Sequence, residues 1–283
     1  MSVLKNTQYT LTSPTFVGAD GETPTDCAST PTAAVTRDDG TSLTAAVVTA
    51  AAGDGAYTAA ITTTHTSQLD RLTVTWTGTA GSLVQIYTQR LEVAGGWYVT
   101  VPEVQAEPDL STATVAVIRR KRDEFESLAE NFCGVAFVPR YERETLAGDG
   151  TANLLLKWPL PRELLSVTVD GVAEDVADYT VDPVYGLVKL SGTIPRSSDN
   201  ARNVVVTYTH GHDFPPPDLK EACLAYLRSK ITVRSAGIPN NAMDGSDQTR
   251  NWTYSAPGED KPTGIPSVDE VLVRLSERIP GVA

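Results

Sequence analysis

Three consecutive prolines, Pro215, Pro216 and Pro217, constrain this chain more than any other feature. Each fixes φ and removes a backbone donor, and each restricts the residue before it, so neither a strand nor a helix can run through them. On the amino-terminal side, Val204, Val206 and Tyr208 alternate with Val205 and Thr207, the period-2 pattern of a packed strand over Asn203–Tyr208. Gly211 turns the chain. On the other side Asp218 is the expected N-cap, with Glu221 three residues on, and both carboxylates suit the positive end of a helix. That helix carries Leu219, Ala222, Cys223, Tyr226, Leu227 and Ile231 on one apolar face. The stretch Asn203–Asn240 therefore predicts a strand fastened to a packing helix through a rigid corner. Its spacing imposes no catalytic group.

A chain of 283 residues has room for two domains around such a unit. Its three cysteines, Cys27, Cys133 and Cys223, lie far apart, which gives neither a disulfide framework nor a metal-ligand spacing. The opening MSVLKNTQYT has no apolar core of a signal peptide, and no window approaches a membrane span, so a soluble protein of a reducing compartment is expected. The net charge of −12 argues against gripping nucleic acid or an anionic membrane by bulk electrostatics.

Residues up to about Gly96 differ from the remainder. Thr and Ala dominate, and the basic residues are Lys5, Arg37, Arg71 and Arg90. Short strands are predicted at Tyr9–Thr12, Thr15–Gly18, Thr32–Thr36, Ala56–Ile61, Arg71–Thr77 and Leu83–Val93, punctuated by Asp38-Asp39-Gly40, Gly53-Asp54-Gly55 and Thr79-Ala80-Gly81. Leu72, Val74 and Trp76 share one face and Thr73 and Thr75 the other, as in a half-buried antiparallel strand. Six or seven short strands in this length fit a small immunoglobulin-like sandwich. The phrases GDGAYTAAI and LDRLTVTWTGTA resemble those of Ig-like modules of phage and bacterial surface proteins, although the Cys…Trp…Cys pattern of antibody domains is absent. The fold class expected is α+β in two domains, residues 1–96 all-β and residues 97–283 mixed, with the hinge at Gly95-Gly96.

Past the hinge, Trp97–Val101 reads as a possible strand and Pro102–Leu110 as an acidic, proline-containing connector. A helix is expected from Asp109–Thr112, where Asp109, Ser111 and Thr112 compete as N-cap. Val115, Ile118, Phe125, Leu128, Ala129 and Phe132 form its stripe and Gly134 its C-cap. Arg119-Arg120-Lys121-Arg122 could meet DNA or an acidic partner, but Asp123, Glu124 and Glu126 follow at helical spacing, so self-pairing along a solvated face is the preferred reading.

From Val135 to Tyr208 strands return. They are expected at Phe137–Leu146, Leu154–Trp158, Ser166–Val169, Asp178–Val181, Gly186–Leu190 and Asn203–Tyr208. Turns fall at Gly148–Gly150, at the hairpin signal Asp170-Gly171, and at Asp182-Pro183-Val184-Tyr185. Ile238–Ser267 is rich in Gly, Pro, Asn and Ser, with Trp252 and Tyr254 in polar surroundings. A last helix, Val268–Ile279, would use Ser267 as N-cap and bury Val268, Val271, Leu272 and Leu275.

Chemistry is sparse. His210-x-His212-Asp213 could present two imidazoles and a carboxylate to a metal, but no third His or Cys stands near, and His65 belongs to the first domain. A polar corner is the preferred reading, with a metal-dependent hydrolase as the rival. No G-x-S-x-G, P-loop or G-x-G-x-x-G occurs, and acids such as Asp199, Asp244 and Asp247 read as solubilising charge. Neither an enzyme nor a cofactor or metal site is expected.

One resemblance spans about Asp109 to Ala283. It rests on the order of Cys133-Gly134 with Ala136-Phe137-Val138-Pro139-Arg140, then Trp158-Pro159, Val167-Thr168-Val169-Asp170-Gly171, and Asp178-Tyr179-Thr180-Val181-Asp182 with Gly186-Leu187-Val188. Val204–Thr209, Pro216-Pro217-Asp218-Leu219-Lys220 and Ser235-Ala236-Gly237-Ile238-Pro239 complete it. This order resembles the head-to-tail adaptor (connector) proteins of long-tailed bacteriophages. The resemblance implies a helical core with a β-rich insertion and an extended C-terminal arm. It implies a homo-oligomeric ring, typically of twelve subunits, beneath the portal protein in the virion neck. Such a protein is made in the cytoplasm of the host bacterium. The ring would extend the channel through which genomic DNA passes without specific binding, dock the next stopper or tail-completion component, and touch no membrane. The stretch Arg250–Pro257 and the tail Gly264–Ala283 become the expected contacts with the portal or a neighbour, through Arg250, Trp252, Tyr254, Ile265 and Leu272. Packing of a long loop onto its own domain is the alternative for Trp252 and Tyr254. An Ig-like module departs from the minimal family pattern and would project outward. The rival function is a virion surface protein that binds host or glycan through that module.

Overall fold

A computed structural model describes residues 1–50, 54–148, 150–151, 153–182, 187–190, 203–232, 244–247, 250–253, 258 and 261–276. The class is mixed α+β, with several sheets and four helices among the described residues. Two compact units divide the chain, one of Met1–Gly96 with Arg140–Arg143, the other of Trp97–Pro139 with Glu144–Ala283.

The first unit holds β1 (Ser2–Leu4), β2 (Tyr9–Thr12), β3 (Thr32–Thr36), β4 (Val47–Ala50), β5 (Tyr57–Ile61), β6 (Asp70–Ala80) and β7 (Leu83–Ala94). One sheet has the order β1-β7-β6-β3 and the other β2-β5-β4. They enclose a single core to which β6 gives Leu72, Val74 and Trp76, β5 gives Tyr57, Ala59 and Ile61, and β2 gives Leu11. Burial alternates along all of β6, as its apolar and threonine positions demand. The β6–β7 hairpin closes on Ala80↔Leu83, with Gly81 at φ +62° in the two-residue turn. Two strands escaped the sequence reading. β1 is three residues long and pairs in parallel with Glu92–Ala94 of β7, and β4 pairs with β5. In place of a strand at Thr15–Gly18 there is an isolated bridge, Val17↔Pro24.

The second unit begins with a correction. Trp97–Val101 is no strand. Tyr98 and Val99 are buried in the helical core, and α1 (Val101–Ala106) starts one residue after Thr100. The reason is a capping box. Thr100 N–H donates to Glu103 Oε2 at 2.6 Å, and Glu103 N–H donates to Thr100 Oγ1 at 3.4 Å, with Pro102 in the first turn. Residues Pro108–Leu110 form a 3₁₀ turn that absorbs Asp109, so α2 (Val115–Cys133) is capped by Thr114 and not by Asp109, Ser111 or Thr112. Gly134 ends α2 at φ +67°, as expected.

Between α2 and the next helix lie β8 (Arg140–Leu146), β9 (Asn153–Leu155), β10 (Pro161–Val169), β11 (Val172–Glu174), β12 (Tyr179–Asp182), β13 (Leu187–Leu190) and β14 (Val204–His210). They form sheets of order β11-β10-β14-β8 and β12-β13-β9 around Leu154, Val167, Tyr179, Val188, Val206 and Tyr208. The Asp170-Gly171 hairpin is present, with both residues at positive φ, +51° and +80°. The expected turn residues Pro183, Val184 and Tyr185, together with Gly186 and the segment Ser235–Pro239, lie outside the described residues.

Helix α3 (Pro217–Thr232) starts at the last of the three prolines. Pro216 caps it, its carbonyl accepting from Leu219 and Lys220 N–H at 3.1 Å each, while Asp218 sits in the first turn. Proline tolerates that position because its missing N–H has no partner there anyway. After β15 (Asp244–Asp247) and β16 (Arg250–Thr253) comes α4 (Pro266–Ser276), capped by the Ile265 carbonyl and not by Ser267. Helices α2, α3 and α4 share one core: Ile118, Phe125, Ala129 and Cys133; Leu219, Ala222, Cys223, Tyr226 and Leu227; Val268, Leu272 and Leu275. The Phe125 and Tyr226 rings meet at 5.1 Å. Val115, placed on the expected stripe, is exposed.

Candidate functional site

The residues singled out as contacts fall in two places. Arg250 and Trp252 belong to the β15–β16 hairpin, whose register sets Asp247 opposite Arg250 and Gly245 opposite Trp252. The Gly- and Asn-rich composition had suggested a loop here. The backbone instead pairs as a two-stranded ladder over Asp244–Asp247 and Arg250–Thr253. Tyr254 lies outside the described residues, as do residues 277–283 of the tail.

Ile265 and Leu272 belong to α4. Ile265 is half-buried against the helical core and supplies the helix cap. Leu272 is fully buried, and its carbonyl accepts from the Cys133 thiol at 3.5 Å. Burial pushes that thiol up to about 12, so Cys133 is a packing group and not a nucleophile at neutral pH. The entry to α4 is fixed by Asp269, whose Oδ1 accepts from Thr263 N–H at 2.9 Å and from Thr263 Oγ1 at 2.6 Å. Arg274 of α4 pairs with Asp218 of α3 at 2.6 Å. The hairpin thus joins a helix that is seated in the core on one side and tied to α3 on the other.

The histidine corner is built differently from a metal site. His210 is buried, with its ring stacked on Trp158 at 5.2 Å and 9°. His212 lies flat on Phe137 at 5.9 Å and 15°. Asp213, the third expected ligand, is engaged by Arg162 at 2.5 Å. The two imidazoles therefore belong to separate aromatic stacks. Although His212 has one side in solvent, burial of its ring face and the nearby Arg162 hold it below the usual imidazole range, with Asp213 opposing. Gly211 between them, at φ +97°, donates to the Leu160 carbonyl, and His212 N–H donates to that of Ala136, both at 3.0 Å. A Cβ at Gly211 would stand 2.6 Å from the Val138 carbonyl oxygen.

The basic run on α2 is only partly the solvated face expected of it. Lys121 pairs with Glu124 at 2.6 Å across one turn. Arg122 is buried. Its guanidinium lies 3.5 Å from the centre of the Trp97 ring, 3.4 Å from Asp123 and 3.8 Å from the buried Glu126. Glu126 in turn accepts from Tyr98 N–H at 2.8 Å. The acidic connector finds its partners on α3. Glu103 pairs with Lys220 at 3.3 Å, and Glu107 and Asp109 pair with Arg228 at 2.7 and 3.4 Å.

Among the described residues no group of three or more His, Cys, Asp or Glu is placed to hold a metal, and no helix is long and apolar enough to cross a membrane. No family model matches the chain, and no curated protein is similar enough to it to count as a relative.

Proposed function

We propose that this chain is a virion structural protein, a head-to-tail adaptor that works by assembly and not by catalysis. The observation that carries the reading is the placement of the two-sheet segment β8–β14 between α2 and α3, inside a body made by α2, α3 and α4. A helical core with a β-rich insertion is what the resemblance implies for an adaptor. In this reading the subunits form a ring beneath the portal, in the neck of the particle, which extends the DNA channel and docks the next stopper or tail component. The hairpin that carries Arg250 and Trp252, with Tyr254 and Ile265 beside it in the chain, is the arm that meets the portal or the neighbouring subunit. Leu272 seats the helix from which that arm is hung. The first unit, two sheets around one core, is the Ig-like module, carried on the outside of the ring. A chain of net charge −12 suits a conduit through which DNA slides without sticking.

Native mass measurement of the purified full chain, alone and mixed with the portal protein of the same phage, tests this. A ring, or a stoichiometric complex with portal, is the expected result. A monomer that joins portal in no mixture removes the adaptor reading.

A further inference from the structure

Strand β7 spans twelve residues, but β1 covers only its end, pairing with Glu92, Val93 and Ala94. Glu92 N–H donates to the Met1 carbonyl, and the Ala94 carbonyl accepts from Lys5 N–H. In an extended strand the backbone groups of alternate residues point to the same side. Val84, Ile86 and Thr88 therefore aim their N–H and C=O groups along the same edge, beyond the reach of β1. Among the described residues none of these groups has a hydrogen-bonding partner on that side. The side chains there are open as well, with Val84 67% and Ile86 65% exposed. From Ala80 to Gln89 the edge carries no charge and no proline, the usual guards of a bare strand.

The edge is also held still. The opposite face of the same strand is tied down, with Gln85 Nε2 donating to the Val17 carbonyl at 2.5 Å and Val17 N–H donating to Gln85 Oε1 at 3.2 Å. Gln89 Nε2 donates to the Thr12 carbonyl at 3.0 Å and accepts at Oε1 from Trp76 Nε1–H at 2.7 Å. A pre-ordered edge whose outward donors and acceptors have no partner among the described residues is a template for one more strand.

We infer that this edge pairs with the same edge of a second copy of the chain, antiparallel about Ile86. Self-complementarity selects that occupant. With Ile86 opposite Ile86, Val84 falls opposite Thr88, so the outward-facing backbone groups of the two copies meet as hydrogen-bonded pairs. The Val84 and Ile86 side chains of both copies then form one aliphatic cluster across the seam. The nearest charge, Arg90, falls opposite Ser82, so no like charges meet even though each copy carries −12. The pairing stops where β1 begins, which limits it to a short seam and a correspondingly weak, reversible contact.

Site-directed cross-linking of the full chain tests this. Paired Cα atoms in such a register lie about 5.5 Å apart, within disulfide reach. Under mild oxidation Ile86→Cys should form linked dimers at least tenfold faster than Val47→Cys, an equally exposed position on β4. Adding Thr88→Pro, which removes one outward N–H that has no partner among the described residues, should return the rate to that of Val47→Cys. Circular dichroism checks the fold. As a second route, Ile86→Lys and Ile86→Glu should each abolish pairing by sedimentation, and their equimolar mixture should restore it. Equal cross-linking at positions 86 and 47, or a charge mixture that stays unpaired, overturns the inference. The cross-link reports this edge whatever the second unit assembles into, so it stands apart from the adaptor reading.

Discussion

Arg122 and Gly211 show how much single positions decide. Arg122 and Glu126 lie one turn apart on the face of α2 that packs inward, both almost wholly covered. A pattern of apolar residues treats charges as solvent markers, so the sequence reading assigned Arg122 to the wrong side of its helix. Trp97 was the available clue, because a guanidinium can be desolvated against an indole face. Removing one partner of a buried pair strands the other. Arg122→Ala should cost about 3–5 kcal/mol in urea unfolding, and the double variant with Glu126→Gln should recover part of that loss. At Gly211 the backbone geometry and the Val138 carbonyl both exclude a side chain. Gly211→Ala should cost about 2–5 kcal/mol, the sum of a disfavoured φ and an overpacked contact, measured in the same way.

Elements were readable where one periodicity or one turn signal dominated. The Leu72, Val74, Trp76 alternation placed β6, Asp170-Gly171 placed the β10–β11 hairpin, and five of the apolar residues assigned to α3 are buried. Elements made by pairing or capping were not. β1 is too short to show a period and exists because β7 offers it an edge. α1 was hidden because Pro102 looks like a breaker, while the Thr100 and Glu103 box that nucleates the helix spans only four residues. Its N–H bond, then its hydroxyl bond, hold Glu103 below the usual carboxylate range, with Lys220 adding to both. Thr100→Ala should therefore lower stability by about 1 kcal/mol, read as a shift of the denaturation midpoint with an unchanged slope. The hairpin at Arg250–Thr253 was the part of the candidate site least visible in the sequence, since its composition is that of a loop.

At the scale of the whole molecule each unit has a packed core of its own, strands β2, β5 and β6 contributing in the first and α2, α3 and α4 in the second. Trp252→Ala is expected to weaken ring or portal association in native mass measurements while leaving the circular dichroism spectrum and melting temperature as they were. Loss of the folded state instead would make Trp252 a core residue and move the contact elsewhere. A last consequence concerns the place where the β-rich insertion leaves the helical body. Its roots are not free tethers. The Ala136 carbonyl after α2 accepts from His212 N–H, and the Leu160 carbonyl before β10 accepts from Gly211 N–H. A pull on the insertion should therefore reach the segment after α2 and the segment before α3 together.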